Sequence, residues 1–309
     1  MLVHPLGRQV PKGTQPFLFR TSASAQPQPP GPTPAAAELA VAADLLARSA
    51  DVADQIAMTH FRTTTLASHP KPDGSPVTVA DLAIEQEVRR MLPAGFAFLG
   101  EETGFTSAPG PWTFVIDPID GTASYINGGT GWACLLAALY RGSVVAALAS
   151  APARGERYQA TVRESTTRNG QAVLVSSKNS LSGARFEFQS QRAFLASGLG
   201  STPAELTSAF SLDAHFPGNT AAHLRVTTGR SDLAWSPDAP IWDIAALSLL
   251  VMQAGGAASD LSGKPIILRN PGARASFISS NGQLHQAALT AIRHLGPGVG
   301  GGANQGIAR

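Results

Sequence analysis

The 309-residue chain reads as an α+β protein in which helices cover a largely antiparallel sheet. Three observations predict this class. Two helical patterns come first, a run of short β-type segments follows them, and one more long helical pattern stands near the end. Apolar residues make up 43% of the chain, which is enough for a sizeable core.

The first helix is expected over "AAAELAVAADLLARSADVADQIAMTHF", where Val41, Leu45, Val52 and Ile56 fall on one side at helical spacing. The loop "HPKPDGSP" is rich in turn residues. A second helix follows in "VADLAIEQEVRRML", with Ile84, Val88, Met91 and Leu92 as its apolar stripe and Pro93 stopping it. Strand patterns come next in "FAFLGEE", "WTFVIDP", "WACLLAALY", "SVVAALASAP" and "ERYQATV". From Ala172 to about Phe210 the pattern is weakest. The helix "IWDIAALSLLVMQAGG" turns Ile244, Leu247, Leu250 and Val251 inward, and the Gly255-Gly256 pair closes it as a left-handed cap would. The ordered chain thus divides at about residue 170 into halves 35–170 and 171–292.

Residues 1–34 are proline-rich and hold Arg8, Lys12 and Arg20 with no acid before Glu38. A basic, acid-poor targeting peptide is one reading. Prolines 5, 11 and 16 break any amphipathic helix there, so a disordered extension is favoured. The tail 293–309 is Gly-rich and flexible by composition. Its GxGxxG match at Gly296, Gly298 and Gly301 has no strand before it and no helix after it, so it is not a nucleotide fingerprint. The net charge of +2 comes with no dense Lys/Arg tract, which argues against a nucleic-acid partner. No apolar stretch is long enough to span a membrane. The single cysteine, Cys134, excludes an intramolecular disulfide and reads as a buried small hydrophobe, in keeping with a reducing, cytoplasmic setting.

Three segments end an apolar stretch in acid: "LGEETG" at Glu101 and Glu102, "VIDPID" at Asp117 and Asp120, and "APIWD" at Asp243. Each has an ordinary explanation. Acidic pairs solvate turns, Asp-Pro and Asp-Gly are turn vocabulary, and Asp243 could cap its helix. Their conjunction points elsewhere, because gathered carboxylates repel one another unless a cation neutralises them. An all-oxygen set selects a hard divalent ion, Mg²⁺ before others, and no HExxH or CxxC spacing supports zinc. Pro118 leaves the Ile119 carbonyl free to turn toward such an ion. Gly121 permits close backbone approach, and Thr122 adds a hydroxyl. A helix beginning there would point N–H groups at an anion, so a metal beside such a cradle reads as a phosphate site.

"GEE", "DPIDGT" and "WDIAALSLLVMQAGG", in this order and spacing, resemble the inositol monophosphatase family of Mg²⁺-dependent, lithium-sensitive phosphatases, over about residues 36–290. The resemblance implies an α-β-α-β-α sandwich of the inositol monophosphatase/fructose-bisphosphatase type, commonly a homodimer. It also implies two or three Mg²⁺ ions. Glu101, Asp117, the Ile119 carbonyl, Asp120 and Asp243 would hold them, with Asp120, Gly121 and Thr122 on the phosphate. Thr122 and Glu101 would orient a metal-activated water, and Asp81 would accept a hydrogen bond from Thr122. Asp81 also reads as the end of a capping box that starts at Thr78.

The implied substrate is a small-molecule phosphate ester, either inositol monophosphate or histidinol phosphate. "DPIDGTASYINGGTGWACLLAAL" is locally similar to the histidinol-phosphate phosphatase branch. Both branches carry a Glu seven positions before the helix aspartate, where this chain has Ser236. Asp238 either replaces that Glu or is a turn residue. Asn219 and His223 lie where the family lines its pocket, or are structural. A phosphonucleotide or sugar bisphosphate is the alternative ester, and a non-catalytic binding module is the alternative role.

Overall fold

The computed structural model describes residues 32–63, 66–72, 74–188, 213–215, 221–266, 272 and 274–295. The expected extension and tail therefore lie almost wholly outside the described residues, as does Asn219. Helix α1 (Ala36–His60) and helix α2 (Val79–Met91) flank a hairpin of β1 (Ser68–Pro70) and β2 (Pro76–Thr78). Then follow β3 (Ala97–Gly100), β4 (Gly104–Thr106), β5 (Trp112–Asp120), the short α3 (Thr122–Ile126), β6 (Ala133–Tyr140), β7 (Ser143–Ala151), β8 (Glu156–Thr161), β9 (Glu164–Arg168) and β10 (Gln171–Ala172). The later part holds β11 (Arg185–Phe188), β12 (Asp213–His215), α4 (Ala221–Thr227), β13 (Leu233–Pro240), α5 (Ile241–Gln253), β14 (Ala257–Ser259), β15 (Arg274–Ser280) and α6 (His285–Leu295).

Two sheets carry the architecture. One has eight strands in the order β10-β9-β8-β7-β6-β5-β3-β4, and the other has five in the order β12-β11-β13-β15-β14. The first is antiparallel except where β3 runs parallel to β5, and the second mixes both senses. Helices α1 and α2 cover one face of the first sheet, through Leu45, Leu46, Ile84 and Val88 against Phe114, Ile116, Leu136 and Leu148. Its other face meets α5, whose Ile244, Leu247 and Leu250 also reach Phe277 of the second sheet. Helix α6 packs Leu289 and Ile292 on the outer face of that second sheet, against Phe186, Trp235 and Ile278. The layers are α-β-α-β-α, as the resemblance implies.

Helix α1 corrects the predicted stripe. Leu45 is buried, but Val52 and Ile56 are only partly so and Val41 is 58% exposed. The buried face is instead small: Ala42, Ser49, Ala50, Ala53 and Ala57 accompany Leu39, Leu45 and Leu46. It lies on β6 and β7, where Ala138 and Ala146 belong to the same core, and small residues on both sides allow close approach. In α2, Ile84 and Val88 are buried as expected, whereas Met91 is half-buried and Leu92 already lies beyond the helix. Two carboxylates, Asp81 and Glu85, join that buried face instead. Helix α5 follows its pattern: Ile244, Leu247, Leu250 and Val251 are all buried, and Gly255 beyond its last turn has φ 90°, in the left-handed region. Each such side chain contributes roughly 1.5–3 kcal/mol by its burial, so α5 is firmly seated between the sheets.

Two buried histidines flank the second sheet, each set between serines: His223 on α4 in the middle layer and His285 at the start of the outer helix α6. His223 has Nδ1 2.8 Å from Ser279 Oγ and Nε2 3.0 Å from Ser236 Oγ. His285 has Nε2 2.8 Å from Ser259 Oγ and Nδ1 2.9 Å from Ser280 Oγ. Burial holds both neutral, with His223 pushed down to about 3 and His285 to about 4. The folded pKa lies below the unfolded one, so the unfolded chain takes up the proton first. Each histidine's contribution is therefore full above about pH 6.5 and is lost as pH falls, at about 1.4 kcal/mol per pH unit. His285→Asn should flatten the pH dependence of unfolding free energy by about that slope between pH 6 and 4.5. Denaturant titrations of the two proteins check this, and parallel pH profiles would contradict it.

Candidate metal centre

The acidic site sits where β5 ends beneath the first turn of α5. Side chains alternate along β5: Phe114 and Ile116 enter the core beneath α1 and α2, while Val115 enters the core beneath α5. Asp117 continues the Val115 face. Strict alternation would send Asp120 to the opposite side. Instead the strand bulges, because Asp117 pairs with Leu135 and Asp120 with Ala133, so three steps on β5 match two on β6. Pro118 removes a ladder donor at the bulge, and the Ile119 N–H turns back to Asp117 Oδ1 at 3.0 Å. Gly121 then adopts φ 87° at the head of α3, a conformation that only glycine takes without strain.

Asp117, Asp120 and Asp243 thereby bring one carboxylate oxygen each within 4.8 Å of one another. Asp117 and Asp120 are buried, and Asp243 is partly buried in the first turn of α5. Asp243 makes no capping bond, so the helix-cap reading does not account for it. Burial raises the Asp117 carboxyl well above its ordinary range, and the charges of Glu101, Asp243 and Asp120 raise it further. Burial does the same to Asp243, reinforced by Asp120 and Glu101. Such a set is costly without a counter-ion. The cluster contains only oxygen donors, and it is the one cluster of its kind among the described residues. The residues fit a hard divalent cation.

Glu101 follows the end of β3, its N–H donating to the Ile116 carbonyl at 3.2 Å. Its charge bears on the Asp117 carboxyl, while its Oε1 accepts from Lys71 Nζ at 2.6 Å. Lys71 Nζ is equally close to Glu102 Oε1, so one ammonium bridges the acidic pair. Burial would lower the Lys71 pKa, but the two carboxylates outweigh it and hold the amine charged. Burial and the Glu101 charge raise Glu102 to about 7, against the pull of its Lys71 bond.

Asp81 is fully buried, and the capping box is present: its Oδ2 accepts from the Thr78 N–H at 2.8 Å and from Thr78 Oγ1 at 2.6 Å. Burial lifts it to about 6 despite those bonds. The expected Thr122-to-Asp81 bond is not formed here, since Thr122 Oγ1 donates to the Ile119 carbonyl at 3.0 Å.

The candidate ester-binding residues separate. Ser236 and His223 are 4% and 1% exposed and are bonded to each other between α4 and the second sheet. A bulge in β13, between Ser236 and Ala239, carries Asp238 outward. There Asp238 Oδ2 accepts from Arg274 Nε at 2.9 Å and its carbonyl accepts from Arg274 Nη2 at 2.8 Å. The positive charge of Arg274 also reaches Asp243. Lys71, Glu85 and Arg274 are the residues of this region that sequence patterns did not single out. For Glu85 a signal existed: it stands one turn after Asp81, beside the buried Ile84.

The fold and the site define a phosphomonoesterase of the metal-dependent, layered α+β class. The chain belongs to the inositol monophosphatase family, whose model matches residues 38–296. A histidinol-phosphatase of Mycobacterium tuberculosis is 32% identical over 252 residues, covering 79% of this chain and 94% of that protein. The Nus factor SuhB of Pseudomonas aeruginosa is 31% identical over 243 residues, covering 72% and 85%. Among solved structures, an inositol monophosphatase from Zymomonas mobilis is 27% identical with a TM-score of 0.69, covering 84% of this chain and all of that one.

Proposed function

We propose that this enzyme is a Mg²⁺-dependent phosphatase for a small polyol or amino-alcohol phosphate, of the histidinol phosphate or inositol monophosphate kind. The carrying observation is the meeting of Asp117, Asp120 and Asp243 beside the Gly121–Thr122 turn. Glu101, Asp117, the Ile119 carbonyl, Asp120 and Asp243 would hold two or three cations. A bound divalent cation supplies an activated water and charge neutralisation at the leaving oxygen. Asp120, Gly121 and Thr122 would seat the phosphate, a positioning task that involves no covalent intermediate. Glu101 and Thr122 would orient the water, with Asp81 behind them. Thr122 must first leave the Ile119 carbonyl to serve that role. Lithium sensitivity, a homodimer and a cytoplasmic setting without nucleic acid complete the reading. Among the described residues no helix is long and apolar enough to cross a membrane.

Arg274 favours a second reading, an ester with another anionic group such as a phosphonucleotide or sugar bisphosphate. It is a cation whose charge reaches Asp243, and Asp238 holds its orientation. Phosphate release from histidinol phosphate, inositol 1-phosphate and a phosphonucleotide, with Mg²⁺ and with or without Li⁺, tests both. The first reading expects fastest release from one of the first two, changed less than about threefold by Arg274→Gln. A phosphonucleotide preference that falls about tenfold in that variant, roughly 1.4 kcal/mol, selects the second. Stoichiometric Mg²⁺ binding with release from no ester would mark a binding module.

A further inference from the structure

Glu85 on α2 is fully buried and has no cationic partner among the described ion pairs. Its carboxylate is answered by three donors from the turn that follows β3. Oε1 accepts from the Glu102 N–H at 2.7 Å, while Oε2 accepts from the Thr103 N–H at 3.0 Å and from Thr103 Oγ1 at 2.6 Å. The backbone reaches this carboxylate only because residue 100 lacks a side chain. A Cβ on Gly100 would lie 2.3 Å from Glu85 Oε2 and 2.6 Å from Oε1.

We infer that Glu85 is a positioning residue of the metal centre, acting on Glu101 through the backbone of residues 100–103. The inference rests on the proposed role of Glu101 as a ligand. A buried carboxylate without a counter-ion costs stability, and near Glu101 it also adds like-charge repulsion. An apolar side chain would fill the space more cheaply. All three facing groups are donors, so the site takes a group with two acceptor oxygens, which glutamine is not. The arrangement fixes the peptides on either side of Glu102. Lys71 holds the Glu101 and Glu102 carboxylates from the other side. With backbone and side chains both anchored, Glu101 meets Asp117 at no ordering cost when an ion arrives.

The test is Mg²⁺ titration calorimetry on the full chain, with activity against Mg²⁺ concentration and thermal unfolding without Mg²⁺. Two variants disturb the same contact from opposite sides, Glu85→Gln and Gly100→Ala. Both should weaken Mg²⁺ binding about tenfold and raise the half-activating Mg²⁺ concentration to match, with kcat at saturating Mg²⁺ within about threefold. A purely structural Glu85 would instead lower the unfolding temperature and leave Mg²⁺ affinity untouched, which overturns the inference. Unchanged affinity in both variants overturns it as well. If Glu85→Gln does not fold, Gly100→Ala and Thr103→Val carry the same comparison. A wild-type chain that binds no Mg²⁺ would overturn the metal centre itself, an outcome distinct from tight wild-type binding with unaffected variants.

Discussion

Asp117→Asn is expected to reduce Mg²⁺-dependent phosphate release on the order of a thousandfold while the metal-free protein becomes more stable. The two effects share one cause. Asp117 is buried among Glu101, Asp243 and Asp120, and its carboxyl is raised well above the ordinary range. The fold therefore prefers the neutral form, and ionised Asp117 at neutral pH is a stability cost without a cation. Asparagine removes the charge and keeps an Oδ1 acceptor for the Ile119 N–H. A gain of about 1–2 kcal/mol in the metal-free state follows. Phosphate release with Mg²⁺ and denaturant unfolding in a chelator measure the two sides. Turnover near wild type, or a large loss of metal-free stability, contradicts the assignment.

Mg²⁺ is expected to raise the unfolding temperature of the wild-type protein by roughly 4–6 °C at about a hundredfold excess over its Kd. Ligand binding at that excess adds about 2.7 kcal/mol to the folded state. One kcal/mol is worth about 2–4 °C in a domain of 150–250 residues, and somewhat less in a larger one. Chelation should reverse the shift and abolish activity. Asp243→Asn should remove most of the shift, because in the proposed centre Asp243 would be the ligand that ties α5 to the end of β5. Its helix is held by Ile244, Leu247 and Leu250 in the core, so the variant should still fold. Thermal scans with and without Mg²⁺ decide it, and an equal shift in the two proteins would remove Asp243 from the centre.

The particular residues show why some features were legible in the sequence and others were not. Helix α5 was readable because large apolar residues repeat at its own period and a glycine pair ends it. Strand β5 was readable as an apolar run ending in acid. The Thr78–Asp81 capping box was local in sequence and is present as read. The buried face of α1 is hidden from periodicity, which weights large side chains, because the helix approaches its sheet mainly on alanine. The strands of the second sheet pair across long separations, β13 with β15 for instance, so no local pattern announces their partners. Ser236 and His223 stood in the right segment for an ester pocket, but their direction, into each other, was decided by packing.

By itself the sequence determined the class of fold, the acids that end its apolar runs and the turn chemistry between Asp117 and Thr122. These depend on residue type and on neighbours a few positions apart, where propensity and periodicity act. Only the tertiary structure decided that Asp117 and Asp120 share one face, since that depends on the bulge against β6. It alone brought Asp243 to them across the sandwich, set Lys71 between two glutamates and placed Glu85 behind their turn. Those contacts join residues far apart in the chain, and they are set by how layers pack and which buried charges find partners.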